Sequence, residues 1–335
     1  MLYHGVKIGS LELPGNVFLA PVAGYSDSAF RTVCIEHGAS FTYTEMVSAE
    51  ALVRDNRKTL QLMKRAENEK AYAVQIFGGD PATMAKAACI VLEKAPCECI
   101  DINCGCPVPK IIKTGAGSSL TREPDRLNAV AGAVVAAVAG KVPVTVKIRS
   151  GWDSDSITWK EAADAALQAG VSAITLHPRT RAQGYEGKAD WTLLRELVTF
   201  AAGRIPVFGS GDLFKPEDAK AMLEQTGCSA VMFARGAMGN PFIFTETKQL
   251  LETGTYSAVS TEERIKTGFR ELSLLINECG EDNACRDMRK RFCAYTKGIK
   301  GGAEIRLKLV HASTEADYHS ILDQLQDCTS CIYEE

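Results

Sequence analysis

From residue 17 to residue 236, short apolar runs rich in β-branched residues alternate with longer segments in which apolar positions recur every three or four residues. The first pattern is that of buried strands and the second that of amphipathic helices, so their alternation predicts repeated βα units on a parallel sheet. Eight candidate strands stand out: VFLAPV (17–22), FTYTEM (41–46), AYAVQIFG (71–78), CIDINC (99–104), VPVTVKIR (142–149), SAITLHPR (172–179), PVFGSG (206–211) and AVMFARG (230–236). Helical stretches lie between them at 80–95, 123–140 and 215–227, and several begin with an acid or proline and end in glycine, as caps require.

Eight units in this span, with no G-x-G-x-x-G after the first strand, favour a TIM (β/α)8 barrel over an open doubly wound sheet. The segment 6–15 reads as a small hairpin closing the bottom of the barrel. Past residue 255 the strand pattern stops and only helical periodicity remains. The expected organisation is therefore α/β: a TIM barrel over 1–252, a polar linker TGTYSAVS (253–260), and a C-terminal all-helical domain over 261–335.

Composition narrows the class. At 335 residues with 46% hydrophobic and 24% charged content the chain is an ordinary globular protein. No apolar run approaches the roughly 18 residues of a membrane span, and the N-terminus carries no export-signal pattern. Both point to a cytoplasmic protein without a membrane partner. The net charge of −3 hides a local asymmetry, because 286–308 holds eight basic residues (Arg286, Arg289, Lys290, Arg291, Lys297, Lys300, Arg306, Lys308) against Asp287 and Glu304. Such a patch suits nucleic acid, although a charge run is more often a solvated face.

In a TIM barrel the reacting groups stand at the C-terminal ends of the strands. Those ends offer Pro21, Val22 and Ala23; Glu45 and Met46; Gln75; Asn103 and Cys106; Lys147 and Arg149; His177 and Arg179; Ser210, Gly211 and Asp212; and Ala234, Arg235 and Gly236. Gln75, Lys147 and His177 interrupt apolar runs, where an unpaired polar group is costly. Gln75 is a barrel-interior hydrogen bonder or a reader of a ligand's polar edge. Lys147 is a rim ion pair or a fixed cation under a ring that accumulates negative charge. His177 is a satisfied core histidine or a ligand contact. The glycines after strands seven and eight together suit a phosphate held by backbone N–H groups.

Twelve cysteines, dispersed without scaffold spacing, read as thiols. Cys104 and Cys106 are too close for ordinary metal-ligand spacing, and no metal site is expected there; CTSC at 328–331 has that spacing but stands alone. Cys104 reads as a buried structural thiol. Cys106, between a glycine and a proline after its strand, faces the barrel mouth, where a protonated thiol can donate a proton.

The stretches LAPVAGYSDSAFR, VQIFG, DINCGCPVPKIIKTGAGSSL, VKIRSGW, LHPRTRAQGYEGKADW and ARGAMGNPFIF closely resemble the tRNA-dihydrouridine synthase family, nearest its bacterial B subgroup, over residues 10 to 250. The resemblance implies an FMN enzyme that uses NADPH to reduce uridine in tRNA to 5,6-dihydrouridine. It places Pro21, Val22 and Ala23 along the flavin, Gln75, Lys147 and His177 at its polar side, and Ser210, Gly211, Asp212, Ala234 and Arg235 at its phosphate. It makes Asn103 the uracil contact with Arg179 as helper, and Cys106 the general acid. Glu45 and Met46 match without a defined role. Two positions depart from the family pattern: Cys104 where methionine is usual, and Ser210 where asparagine is usual, which removes an amide from the phosphate end. A free-pyrimidine flavin oxidoreductase and a non-redox RNA-binding barrel are the competing functions.

Overall fold

The computed structural model describes residues 2–330, with side chains through Leu325, so the cysteines of CTSC lie outside the described side chains. Eight parallel strands form the barrel: β1 (Val17–Leu19), β2 (Thr42–Tyr43), β3 (Tyr72–Phe77), β4 (Cys99–Cys104), β5 (Val144–Gly151), β6 (Ala173–Thr180), β7 (Val207–Ser210) and β8 (Ala230–Phe233). They pair in the order β1-β8-β7-β6-β5-β4-β3-β2. The circle closes where Leu19 N–H donates to the Phe41 carbonyl at 2.9 Å.

Around the barrel run α1 (Ser28–Glu36), α2 (Ala49–Val53), α3 (Pro81–Lys94), α4 (Pro124–Val138), α5 (Trp159–Gln168), α6 (Trp191–Ala201), α7 (Pro216–Thr226) and α8 (Ile243–Thr253). The caps are those the sequence supplies: Asp80 accepts from Thr83 N ahead of Pro81, and Gly227 ends α7 at φ 69°. After 254–260 come α9 (Thr261–Cys279), α10 (Glu281–Tyr295), α11 (Gly302–Leu309) and α12 (Glu315–Ser330).

The predicted second strand, 41–46, is broken. Thr42–Tyr43 pairs with β3, pairing lapses, and Val47–Ser48 rejoins the same strand further on. In the gap the Thr44 hydroxyl accepts from Gln75 N at 3.1 Å and donates to the Glu45 carbonyl, so a side chain replaces a ladder bond.

Strand parity places the core and the site together. Successive side chains point to opposite faces. Leu19, Val74, Ile76, Ile100, Ile102, Val146, Ile148, Ile174, Leu176 and Val231 pack outward against the helices. The alternate positions point in: Phe18, Phe41, Ala73, Cys99, Ala173, Phe208 and Met232 fill the lower barrel, with Val6, Ile8 and Leu13 of the hairpin closing its base. Continuing the same parity upward puts Gln75, Asp101, Asn103, Lys147, Arg149, His177, Ser210 and Ala234 inside. A third core, with Leu272, Met288, Phe292, Leu309 and Tyr318, lies within the helical region and includes Ala29 of α1.

Candidate active site

These inward side chains surround a cavity of about 490 Å³ at the C-terminal mouth of the barrel. Its walls hold Pro21, Val22, Ala23, Gln75, Asn103, Cys106, Lys147, His177, Ser210, Gly211, Asp212, Ala234 and Arg235, so every sequence-predicted site residue but one lines a single space. The exception is Arg179. It is 2% exposed, and its guanidinium is committed to both oxygens of Asp212 at 2.8 Å and to the Glu186 and Gly187 carbonyls, behind the wall. It supports the mouth instead of entering it.

Parity also separates the two thiols of the C-G-C stretch. Cys104 points outward into the sheet–helix core and is 1% exposed; Cys106 lies on the loop beyond the strand, at the cavity. The Asn103 carboxamide oxygen accepts from Gly105 N at 3.1 Å and Cys106 N at 2.9 Å, an Asx turn that sets the thiol's direction. From the far side Ser118 N–H and Oγ both donate to the Cys106 carbonyl. Gly117, at φ 62°, must be glycine, since a Cβ there would sit 2.7 Å from that carbonyl. Burial pushes the Cys106 thiol above its ordinary value, with Val108 N–H and Arg149 opposing, so it is held as a proton donor.

Lys147 enters the same space between β4 and β6. Burial, then Arg149, pulls it down to about 8, while Asp101 pulls the other way. Among the described residues its ammonium has no hydrogen-bond or ion-pair partner, although it lines the cavity. Burial holds His177 well below its usual value, reinforced by Lys147, Arg149, Arg179 and Arg235, so the imidazole is neutral.

The loops after β7 and β8 form a backbone cradle. Gly211 runs at φ 114°, and a Cβ there would approach His177 Cδ2 to 2.9 Å; at Gly236 a Cβ would meet the Leu213 carbonyl at 2.2 Å. The Asp212 carboxylate pairs with Arg179, accepts from Ala189 N–H at 2.7 Å and lies 3.7 Å from the cavity-lining Arg235 guanidinium. The Ser210 hydroxyl has no protein partner among the described residues. An unpartnered ammonium, a free hydroxyl and a glycine cradle form a donor set for a ring that becomes anionic and a phosphate.

Three groups have no role in the sequence reading of the site, Arg149 standing there only as a strand end. Asp101 sits fully buried beneath the cavity. Arg149 ties the Cys106 loop to the β6 loop through the Gly105, Thr180 and Gly184 carbonyls. Tyr185, 61% exposed at the rim, lies with its ring 4.4 Å from the Arg235 guanidinium.

The basic run is only partly free. Arg291 is buried in ion pairs with Asp27 and Glu271, which removes it from any RNA surface. Arg289 donates to the Ala312 carbonyl, Lys290 to the Gly24 carbonyl, Arg306 to the Thr296 carbonyl and Lys308 to Gln324. Arg286, Lys297 and Lys300 are exposed, with no side-chain partner among the described residues. Among the described residues no helix is long and apolar enough to cross a membrane, and no cluster of three or more His, Cys, Asp or Glu side chains could hold a metal.

Comparison with known proteins matches this architecture. The family model Dihydrouridine synthase (Dus) matches residues 18–331. The chain is 56% identical to a "Probable tRNA-dihydrouridine synthase" of Treponema pallidum (strain Nichols) over 99% of this chain and 98% of that one. It is 39% identical to the tRNA-dihydrouridine synthase B of Pseudomonas aeruginosa over 90% of each. Among solved structures, a histamine dehydrogenase from Rhizobium sp. 4-9 shares the fold at TM-score 0.58 and 14% identity, covering 81% of this chain and 51% of that one. DHODH from Eimeria tenella does so at 0.52 and 15%, covering 73% and 82%. With a family model spanning nearly its whole length and relatives alike over nine-tenths of theirs, this chain belongs to the dihydrouridine synthase family.

Proposed function

We propose that the protein reduces the C5–C6 double bond of uridines in tRNA to 5,6-dihydrouridine, with FMN as resident cofactor, NADPH as reductant and Cys106 as general acid. The observation that carries this reading is the meeting, in one cavity, of a thiol kept protonated and an ammonium without a partner. FMN, when bound, supplies the hydride that it has taken from NADPH in a separate half-reaction. Lys147 steadies negative charge on the ring, and Gln75 presents its amide to the polar edge. The neutral His177 closes that side without adding a second charge. Ser210 and the backbone of Gly211, Asp212, Ala234 and Arg235 hold the phosphate, with Arg235 the nearby cation. Pro21, Val22 and Ala23 flank the ring.

As hydride reaches C6 of the uracil, negative charge develops toward C5 and the adjoining carbonyl, and Cys106 delivers the proton to C5. Asn103 meets the uracil with the amide hydrogen that otherwise reaches only the Met46 sulfur, 3.9 Å away, while Arg179 acts by holding the wall. The base must leave the tRNA stack to enter the mouth. The deciding experiment incubates FMN-loaded protein and NADPH with unmodified tRNA and reads the mass gain of two hydrogens in uridine. Reduction of free uridine at the same rate would favour a free-pyrimidine enzyme instead.

Two further results are expected. FMN affinity of the apoprotein should fall as pH rises through about 8, because the charged Lys147 binds the polar edge of the ring far more strongly than the neutral amine. One unit above its pKa about one-tenth of the cation survives, so the dissociation constant should rise about tenfold. Fluorescence quenching of FMN measures this, and Lys147→Arg, which does not titrate in the range, should flatten the curve. Separately, Lys297→Glu with Lys300→Glu should weaken tRNA binding at low salt and reduce its salt slope by about 2, with FMN content unchanged. Filter binding across a salt series checks it.

A further inference from the structure

Beneath the cavity floor a chain of hydrogen bonds runs from the barrel interior to the Cys106 loop, and every donor in it points toward Asp101. Asn103 Nδ2 donates to Gln75 Oε1 at 2.8 Å. Gln75 Nε2 donates to Asp101 Oδ2 at 2.6 Å. Thr145 Oγ1 donates to Asp101 Oδ1 at 2.6 Å. The opposite end of Asn103, its oxygen, is thereby left to receive the Gly105 and Cys106 N–H groups. Amides have two unlike ends, and nothing in the shape of Gln75 or Asn103 alone fixes which end faces which neighbour.

We propose that Asp101 is a positioning residue for the reaction: as the acceptor-only terminus of this chain, it sets the polarity of Gln75 and Asn103 and through them the presentation of Cys106. The inference rests on the proposed role of Cys106 and deepens it. Asp101 is 0% exposed, so no water substitutes for it. A carboxylate offers acceptor sites on both oxygens and no donor. If Gln75 turned over, its oxygen would face the carboxylate and its NH2 would face the Asn103 NH2. If Asn103 turned as well, its NH2 would confront the two loop N–H groups. A single buried anion thus excludes every arrangement but the one that builds the Asx turn. Register reinforces this, since Gln75 lies opposite Asp101 and Asn103 opposite Lys147 on neighbouring strands. Burial pushes the Asp101 carboxyl up to about 6, opposed by the Gln75 and Thr145 hydrogen bonds and then by the Lys147 cation, so it is ionised at neutral pH.

Asp101→Ala removes the terminus, and Asp101→Asn keeps its shape but replaces one acceptor by a donor and discharges the other. Asp101→Asn is the milder change, because the Thr145 hydroxyl can rotate to accept from the new amide and donate toward Cys99 Sγ, 3.7 Å away.

The test uses FMN-loaded protein in excess FMN. It measures iodoacetamide alkylation of Cys106 by mass spectrometry, with the exposed Cys89 as the reagent reference and the buried Cys34 and Cys228 as reporters of lost structure, and tRNA-dependent reoxidation of the reduced flavin. Loosening the turn should raise Cys106 alkylation about threefold in Asp101→Asn and about tenfold in Asp101→Ala, while Cys34 and Cys228 stay as protected as in the parent. Reoxidation by tRNA should fall in the same order, by about 10-fold and about 100-fold. A general loss of structure would instead speed all cysteines together, and that result overturns the proposal. Unchanged Cys106 alkylation in Asp101→Asn also overturns it, and that variant decides alone if Asp101→Ala does not fold. The acid role of Cys106 fails separately, if Cys106→Ala keeps full tRNA-dependent reoxidation.

Discussion

Cys106→Ala should lose about 10²–10⁴-fold in tRNA reduction while retaining FMN and its reduction by NADPH, because a positioned proton donor contributes a factor of that size to the step it serves. The half-reactions separate the effect. NADPH oxidation involves no proton delivery to carbon, so its rate under single-turnover conditions should match the parent. Reoxidation of the reduced flavin by tRNA should carry the entire loss. The fold should survive, since Cys106 is only half-buried and its loop is held by backbone contacts to Asn103 and Ser118. Cys104→Ala is the control. That thiol is buried on the helix side of the sheet, and truncating it should cost about 1–2 kcal/mol of stability with tRNA reduction intact. Equal turnover by Cys106→Ala and the parent would assign the proton to another donor.

How much of this was legible beforehand depended on whether the controlling interactions were periodic. Strands β3 to β6 emerge close to their expected limits because their inward and outward residues alternate, and the polar inward positions, Gln75, Lys147 and His177, interrupt that alternation visibly. The break in the second strand is not legible locally, because it depends on one tertiary bond, Gln75 N–H to the Thr44 hydroxyl, which no local propensity encodes. Asp101 shares the parity of Asn103 two residues on, yet stands outside the expected site. A carboxylate in the run CIDINC was a signal of the same kind as Gln75. Arg179 was placed by its strand end, but whether an arginine reaches a ligand or a neighbouring carboxylate depends on where Asp212 turns, at φ 56°. Ser210 keeps its place in the cavity wall despite lacking the family's amide.

Arg291→Ala should destabilise the fold by about 3–5 kcal/mol at neutral pH, although the residue stands in what the sequence presents as an exposed basic run. Periodicity already distinguished it: Ala284, Met288, Phe292 and Tyr295 are buried on α10, and position 291, seven beyond 284, falls on the same stripe. There its guanidinium joins three elements. It pairs with Glu271 of α9 and with Asp27, whose carboxylate also caps α1 through Phe30 N–H at 2.9 Å, and it lies 4.9 Å from the Tyr25 ring. Removing it leaves Glu271, fully buried and otherwise bonded only to the Tyr295 hydroxyl, as an uncompensated charge. Burial already pushes the Glu271 carboxyl up, and Arg291 is what opposes this. In the variant the folded-state value therefore rises further above the unfolded one, so folding takes up a proton as the pH falls. The deficit should accordingly be largest near pH 7 and shrink toward the unfolded carboxyl value of about 4.3. Glu271→Gln in the same background should recover about 1–2 kcal/mol at pH 7 and remove much of that pH dependence. Because the pair is buried, added salt should change none of this appreciably, unlike the response of Lys297 and Lys300. Urea denaturation at several pH values measures each part. A loss below about 1 kcal/mol, the size expected of an exposed pair, would mean that α10 docks on α9 through its apolar stripe alone, with the Arg291 charges already solvated.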